Sequence, residues 1–292
     1  MSFLVAELAR QPDDWHRAAV LAERFADVLP LPSERVAMVG CGSSWFVGQA
    51  YASLREETGH GLTDAWSAGD HRLHRGYDRV VAVTRSGTTS EVVDVLRQWR
   101  GKVPTTVLTC VPDSPAGELA DVVVPLDVTE RSVVQTSSAT TALAVLRAGL
   151  GEDLEAVAAA ATAALDEDEA DLGPLRRAEQ VTFLGAGWAA AVASEAALKL
   201  RESAQMWVES HLASEYRHGP VSLSGPGRAV WALGALPPGL AEEIAATETY
   251  LEWRDVDPMA ELVRVHRLAA LLARDRGLDP DRPRHLSYSV TL

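Results

Sequence analysis

Two periodicities alternate along this chain. Short, largely β-branched apolar runs give way to longer stretches in which apolar residues recur every three or four positions; the first read as buried strands and the second as amphipathic helices. In the first half the runs at residues 35–40, 78–84, 105–110 and 122–126 predict strands. Helices are predicted over 45–57, 90–99 and 136–150, and over 3–29 with a break near Gln11-Pro12, where proline suits the first turn of a new helix. Residues 152–173, rich in Ala, Glu and Asp, predict a long surface helix linking two units. The pattern then restarts: a strand and glycine turn at 180–187, a helix over about 190–206, a strand at 229–236, a fainter strand pattern at 249–253, and a helix over 260–275. A turn at Asp279-Pro280-Asp281-Arg282-Pro283 leads into an extended tail, 285–292. Strand, Gly-x-Gly and helix open each half, as expected of a duplicated α/β unit whose second copy is shorter by a βα element. Strands alternating with helices imply parallel pairing and sheets covered on both faces. The expected fold is therefore α/β: two tandem units, each a mostly parallel sheet between helices, three-layered and doubly wound, with a boundary placing 1–165 in the first and 166–292 in the second.

Composition narrows the function. The apolar content of 47% supplies a core, and the net charge of −14 with no basic block argues against nucleic acid and anionic membrane as partners. No apolar run is long enough to span a bilayer, and Met-Ser-Phe-Leu-Val-Ala-Glu lacks the basic start of a signal peptide. Cys41 and Cys110 each follow a strand-like run, as buried thiols of a reducing cytoplasm would; a nucleophilic Cys41 is the less favoured alternative. The expected location is cytoplasmic.

The richest segment is Arg79-Val80-Val81-Ala82-Val83-Thr84-Arg85-Ser86-Gly87-Thr88-Thr89-Ser90-Glu91. A strand runs into four hydroxyls and an arginine around one glycine, and a helix follows. The first amides of that helix have no internal partner and carry partial positive charge, so the turn suits a phosphate. Ser and Thr also serve as ordinary helix caps, although four hydroxyls exceed what one cap needs. Ser43 and Ser44, after Gly40-Cys41-Gly42, supply a second hydroxyl-bearing turn. Gly40-x-Gly42 and Gly185-x-Gly187 both lack the third glycine of a dinucleotide fingerprint, Trp45 and Ala190 standing in its place, so no nicotinamide cofactor is expected. Glu195, Lys199 and Glu202 share one helical face. Their spacing alone favours a solvated ion pair. His218, before Gly219-Pro220, is by pattern either a structural histidine or a proton carrier. The remaining histidines are not spaced as metal ligands, and no metal is expected.

Taken in order, Gly40-Cys41-Gly42-Ser43-Ser44, Thr84-Arg85-Ser86-Gly87-Thr88-Thr89, Glu130 through Thr141, Glu195 to Glu202 with Glu215-Tyr216-Arg217-His218-Gly219-Pro220, and the tail from Asp281 to Thr291 resemble the sugar isomerase (SIS) family. Within it they are similar to the isomerase half of glucosamine-6-phosphate synthase and to related sugar-phosphate isomerases, deaminases and deglycases. The resemblance implies two SIS units and a homodimer with mixed active sites. It implies Ser43, Ser44, Thr84, Ser86 and Thr89 as phosphate ligands, with Arg85, where the synthase has Gln, adding a charged contact to phosphate or to an acidic aglycone. Glu202 corresponds to the proton-shuttling carboxylate, His218 to the ring-opening histidine of the neighbouring subunit, and Lys199 to a lysine near the reacting hydroxyl. Two departures stand out. Tyr288 occupies the place of the tail lysine that forms an imine in the synthase, and Gln135 and Ser137 replace a Ser and a Lys near the sugar. The synthase's glutamine-hydrolysing region has no counterpart in these residues, so no glutaminase activity is expected of them. The implied function is isomerisation of a ketose or amino-sugar phosphate by proton transfer between carbons 1 and 2, with or without amine release. The alternative is a non-catalytic sensor of sugar phosphates.

Overall fold

The computed structural model describes residues 2–292. Two helices, α1 (Phe3–Leu8) and α2 (Gln11–Arg24), precede a first βα series: β1 (Val36–Gly40), α3 (Ser43–Glu57), β2 (Thr63–Ser67), β3 (Arg79–Val83), α4 (Ser90–Trp99), β4 (Thr105–Thr109), α5 (Pro115–Leu119), β5 (Val122–Pro125) and α6 (Ser137–Gly149). Helices α7 (Glu155–Asp166) and α8 (Gly173–Arg177) lead to a second series: β6 (Gln180–Gly185), α9 (Ala189–Ala204), β7 (Val208–Leu212), β8 (Arg228–Leu233), α10 (Leu240–Ala245), β9 (Tyr250–Trp253) and α11 (Pro258–Asp275). The strands form two all-parallel sheets, in the orders β2-β1-β3-β4-β5 and β7-β6-β8-β9. The second repeats the first without its outermost strand, so the expected α/β fold, with two sheets and a shorter second unit, is what the chain adopts.

The sequence reading passed over β2, β7 and the short helices α5, α8 and α10. Strands β2 (TDAWS) and β7 (VESHL) are edge strands, half-buried along most of their length, and carry too few apolar residues to form a run. Central strands β1, β3 and β4 are buried at every position, which is why they read clearly. The expected surface helix at 152–173 is also different. It stops at Asp166, and Val157, Ala158, Ala161 and Ala164 are buried against α2 and α11. Its alanines are small because helices pack closely there.

Each sheet has a core on both faces. Beneath the first lie Trp15, Val36, Met38, Val81, Leu108 and Leu143; on its other side Val80, Val92 and Leu96 pack together. Phe183 and Trp231 stack in the second core, ring centroids 5.8 Å apart. Each large apolar side chain so buried is worth about 1.5–3 kcal/mol. A polar staple crosses this packing. Gln11 donates from Nε2 to His266 Nδ1 at 3.1 Å and to the Leu8 carbonyl, and its Oε1 accepts from Thr140 at 3.0 Å. Three helices, α2, α6 and α11, are thereby joined through groups sealed from water. The two ends of the chain also meet: the Asp281 carboxylate accepts from the Phe3 and Leu4 amides at 2.7 and 2.8 Å, serving the open N-terminus of α1.

His266 makes a measurable prediction. Burial, with the Lys199 charge added, lowers its pKa from 6.5 to about 3. The unfolded chain therefore takes up a proton before the folded one, so stability falls as pH drops below 6.5 toward 3. Between pH 7 and 5 this one group should cost about 2 kcal/mol of stability. Urea unfolding of His266→Asn, which keeps an acceptor for Gln11, should show a correspondingly shallower loss over that interval. Equal slopes in the two proteins would remove His266 as the source.

Candidate functional site

The first hydroxyl-bearing turn is shaped by glycine. At Gly40, the end of β1, a Cβ would lie 2.7 Å from the Ser44 backbone, so only glycine lets α3 start so close to the strand. Ser43 and Ser44 occupy the first turn of α3, both buried. The second turn follows β3. Gly87 has φ +68, and a Cβ there would come within 1.9 Å of Ser114 Oγ. The Thr84 hydroxyl accepts from the Gly87 amide at 3.3 Å, so it shapes the turn. Thr89 stands at the N-cap of α4 but makes no side-chain capping bond. Its hydroxyl, with those of Ser86 and Thr88, is instead gathered around Ser289 of the C-terminal tail. An ordinary capped turn does not account for this arrangement.

Both turns open on one cavity of about 200 Å³, lined by Cys41, Gly42, Ser43, Arg85, Thr89, Glu91, Val133, Gln135, Glu202 and tail residues 286–290. It lies at the carboxyl ends of β1 and β3, where open parallel sheets bind ligands. Of the residues singled out from sequence, Ser43, Arg85, Thr89, Gln135 and Glu202 line it; Lys199 is joined to two of these. Ser44, Thr84 and Ser86 lie in the turns behind the lining. His218 is exposed at the end of the 3-10 turn Ala213–His218 and does not line this cavity of its own chain. A larger groove, about 740 Å³, runs between α1, the end of α7 and α11. Its cations are engaged, Arg274 with Glu169 and Arg267 with the Ala164 and Glu167 carbonyls, and none of the residues expected to do chemistry faces it.

Lys199 is one of two lysines among 27 basic residues, and only 1% of it is exposed. Its ammonium lies 2.7 Å from Glu202 Oε2, 3.0 Å from Ser43 Oγ and 3.4 Å from Glu195 Oε1. The solvated ion pair that the spacing favoured is thus replaced by a buried cluster. Burial opposes the Lys199 charge, but Glu195 and Glu202 outweigh it and hold the ammonium above its usual range. Burial lifts the Glu195 carboxyl; Lys199 opposes that rise and Glu202 adds to it. Neither Glu195 oxygen has a well-aligned hydrogen-bond donor, so the Lys199 ammonium at 3.4 Å is what offsets its burial. Glu202 differs in being about one-fifth exposed at the cavity wall. Cys41 borders the same space, but burial and Glu91 raise its thiol to about 11, which leaves no thiolate for nucleophilic attack near neutral pH.

Arg85 borders the cavity with most of its guanidinium engaged by the protein. Its guanidinium donates to the carbonyls of Ser132, Val133 and Tyr288 at 2.8–3.1 Å and to Glu130 at 3.4 Å, and it lies 3.9 Å from the Tyr288 ring centroid. Only Nε is without a partner. Glu130 in turn accepts from the Thr136 and Ser138 amides that open α6. The Tyr288 hydroxyl donates to the Glu130 carbonyl at 3.0 Å, so this residue anchors the tail. Sequence reasoning gave Ser289 and Glu91 no role, although both line the cavity; Glu91 Oε2 is buried without a partner. Among the described residues no group of three or more His, Cys, Asp or Glu side chains is placed to hold a metal ion, and no helix is long and apolar enough to cross a membrane. The corresponding turns of the second unit, Gly185-Ala186-Gly187-Trp188 after β6 and Gly234-Ala235-Leu236-Pro237-Pro238-Gly239 after β8, contain no hydroxyl.

Known proteins share this fold. Glutamine–fructose-6-phosphate aminotransferase (isomerizing) of Aeropyrum pernix is 27% identical over 367 aligned positions, covering 99% of this chain and 57% of the relative. The chain thus spans a little over half the length of such relatives. Among solved structures, a glucosamine-6-phosphate deaminase from Thermotoga maritima superposes with a TM-score of 0.81 at 23% identity, each chain covered completely. The tagatose-6-phosphate ketose/aldose isomerase of Escherichia coli gives 0.78 at 18%, covering 100% of this chain and 96% of that one. These two likenesses establish the fold. The SIS domain family matches residues 31–150 and 174–260, the two sheet-bearing halves, and with most of its length so accounted for the chain belongs to that family.

Proposed function

We propose that this chain is a phosphosugar isomerase-type enzyme acting on a ketose or amino-sugar phosphate. The observation that carries the reading is the cavity itself: hydroxyl turns of the first unit and Glu202 of the second face one small space, with Lys199 buried between them. Ser43 and the hydroxyls of Ser86, Thr88 and Thr89, with the turn amides behind them, hold the phosphate. Glu202 removes the proton from carbon 1 of the open-chain ketose, which leaves an enediolate. Lys199 stabilises its oxygen, and Glu202 returns the proton to carbon 2 while the hydroxyl proton moves from oxygen 1 to oxygen 2. Gln135 and Glu91 accept from or donate to sugar hydroxyls. On an amino-sugar phosphate the same exchange would precede loss of the amine. Tyr288 offers no amine for an imine, so the reaction proceeds without a covalent intermediate on the tail. His218 serves the site of a second copy in a homodimer, as its exposure away from its own cavity allows. Arg85 acts as a positioning residue that fixes the tail and Glu130.

Three outcomes follow. In deuterated water, a panel of ketohexose and hexosamine phosphates should include one that gains deuterium with the wild-type protein, and Glu202→Gln should slow that gain by about 10²-fold or more. Exchange at an unchanged rate in the variant would take the shuttle role from Glu202. Mixing the inactive Glu202→Gln and His218→Ala proteins should restore about a quarter of wild-type activity, since half of randomly reassorted dimers carry one intact site; no recovery after reassortment would place both residues in one chain's site. Arg85→Ala should lower stability in urea by about 3–5 kcal/mol, because it leaves Glu130 buried without its cation. A stable variant with weakened phosphate binding would make Arg85 a ligand instead.

A further inference from the structure

The tail enters the hydroxyl turn itself. Ser289 Oγ lies 2.9 Å from Thr88 Oγ1, 3.1 Å from Ser86 Oγ and 3.5 Å from Thr89 Oγ1. Four hydroxyls from two distant parts of the chain therefore meet at one point, and Thr89 and Ser289 both border the cavity. On either side of Ser289 the tail is anchored independently of this cluster. Before it, the Tyr288 carbonyl accepts from Arg85 and the Tyr288 hydroxyl donates to the Glu130 carbonyl. After it, the Val290 carbonyl accepts from the Ser90 amide at 3.1 Å, and the Leu292 amide donates to Ser90 Oγ at 2.8 Å.

We infer that Ser289 is an anion-binding residue of this site, a fourth hydroxyl supplied by the tail to the phosphate cradle. This deepens the phosphosugar reading and rests on it. With no anion present the four hydroxyls satisfy one another. An incoming phosphate monoester offers oxygens that accept from all of them, and each can redirect its hydrogen by rotating about its C–O bond without moving the backbone. Withdrawing Ser289 instead would break the anchors on both of its flanks. Rotation is the smaller reorganisation, so Ser289 stays and donates. Because tail docking and anion binding then share a contact, each strengthens the other.

Calorimetric titration of the full chain with inorganic phosphate tests this in wild type, Ser289→Ala, Ser289→Thr and Ser86→Ala. The expected result is a loss of affinity of about tenfold in Ser289→Ala, the scale of one hydrogen bond to a charged group, with Thr restoring it. Phosphate should also slow carboxypeptidase removal of the last residues in wild type and not in Ser289→Ala. Unchanged affinity in Ser289→Ala, with Ser86→Ala weakened, would overturn the role of Ser289 and leave the phosphate cradle standing. Tighter binding in Ser289→Ala would overturn it as well, since the tail would then be occupying the anion's place. Wild-type protein that takes up no phosphate would overturn the cradle and this inference together.

Discussion

A single buried ammonium joins the two units at the candidate site. Lys199 belongs to the second unit through α9, yet one of its three contacts is Ser43, in the first turn of α3. Taking its charge out of water would cost several kcal/mol if it were left unpaired. Glu195 and Glu202, on the same helix, make that burial tolerable, and the Lys199–Ser43 hydrogen bond carries the ammonium across to α3. The same contacts set the distance from Glu202 to the hydroxyl turns. Packing at the unit boundary and the geometry of the candidate site are therefore one constraint.

Around that joint the chain closes on itself. Asp281 serves the amides of α1, and the residues that follow run across Arg85 and Glu130 to the start of α4. Most polar groups here are engaged with backbone atoms, which ties the tail's path to the main chain of the first unit. Arg85 and Tyr288 both take part in this fastening while bordering the cavity.

Much of this was legible in the residues. Strands β1, β3 and β4 are buried on both faces, so their apolar runs announce them, and the predicted bounds of α4 coincide with those observed. The gathering of Ser43, Thr89, Gln135 and Glu202 at one cavity followed the motifs. What stayed hidden has common physical causes. Edge strands β2 and β7 present too little apolar surface to leave a run. Helical spacing places Glu195, Lys199 and Glu202 on one face but says nothing of whether water reaches that face. The direction of a long side chain such as Arg85 depends on carbonyls supplied by residues 132, 133 and 288, which no local pattern brings together.

The turns of the second sheet separate backbone shape from side-chain chemistry. Their backbone repeats that of the first: at Gly185 an added Cβ would again meet the following helix, 2.2 Å from the Ala189 carbonyl oxygen. The chemistry has not been repeated. Alanine and tryptophan stand where Ser43 and its neighbours stand, and after β8 two successive prolines remove amide donors that a bound anion would require. The second sheet therefore keeps the close strand-to-helix turn of the first without the hydroxyls that line it.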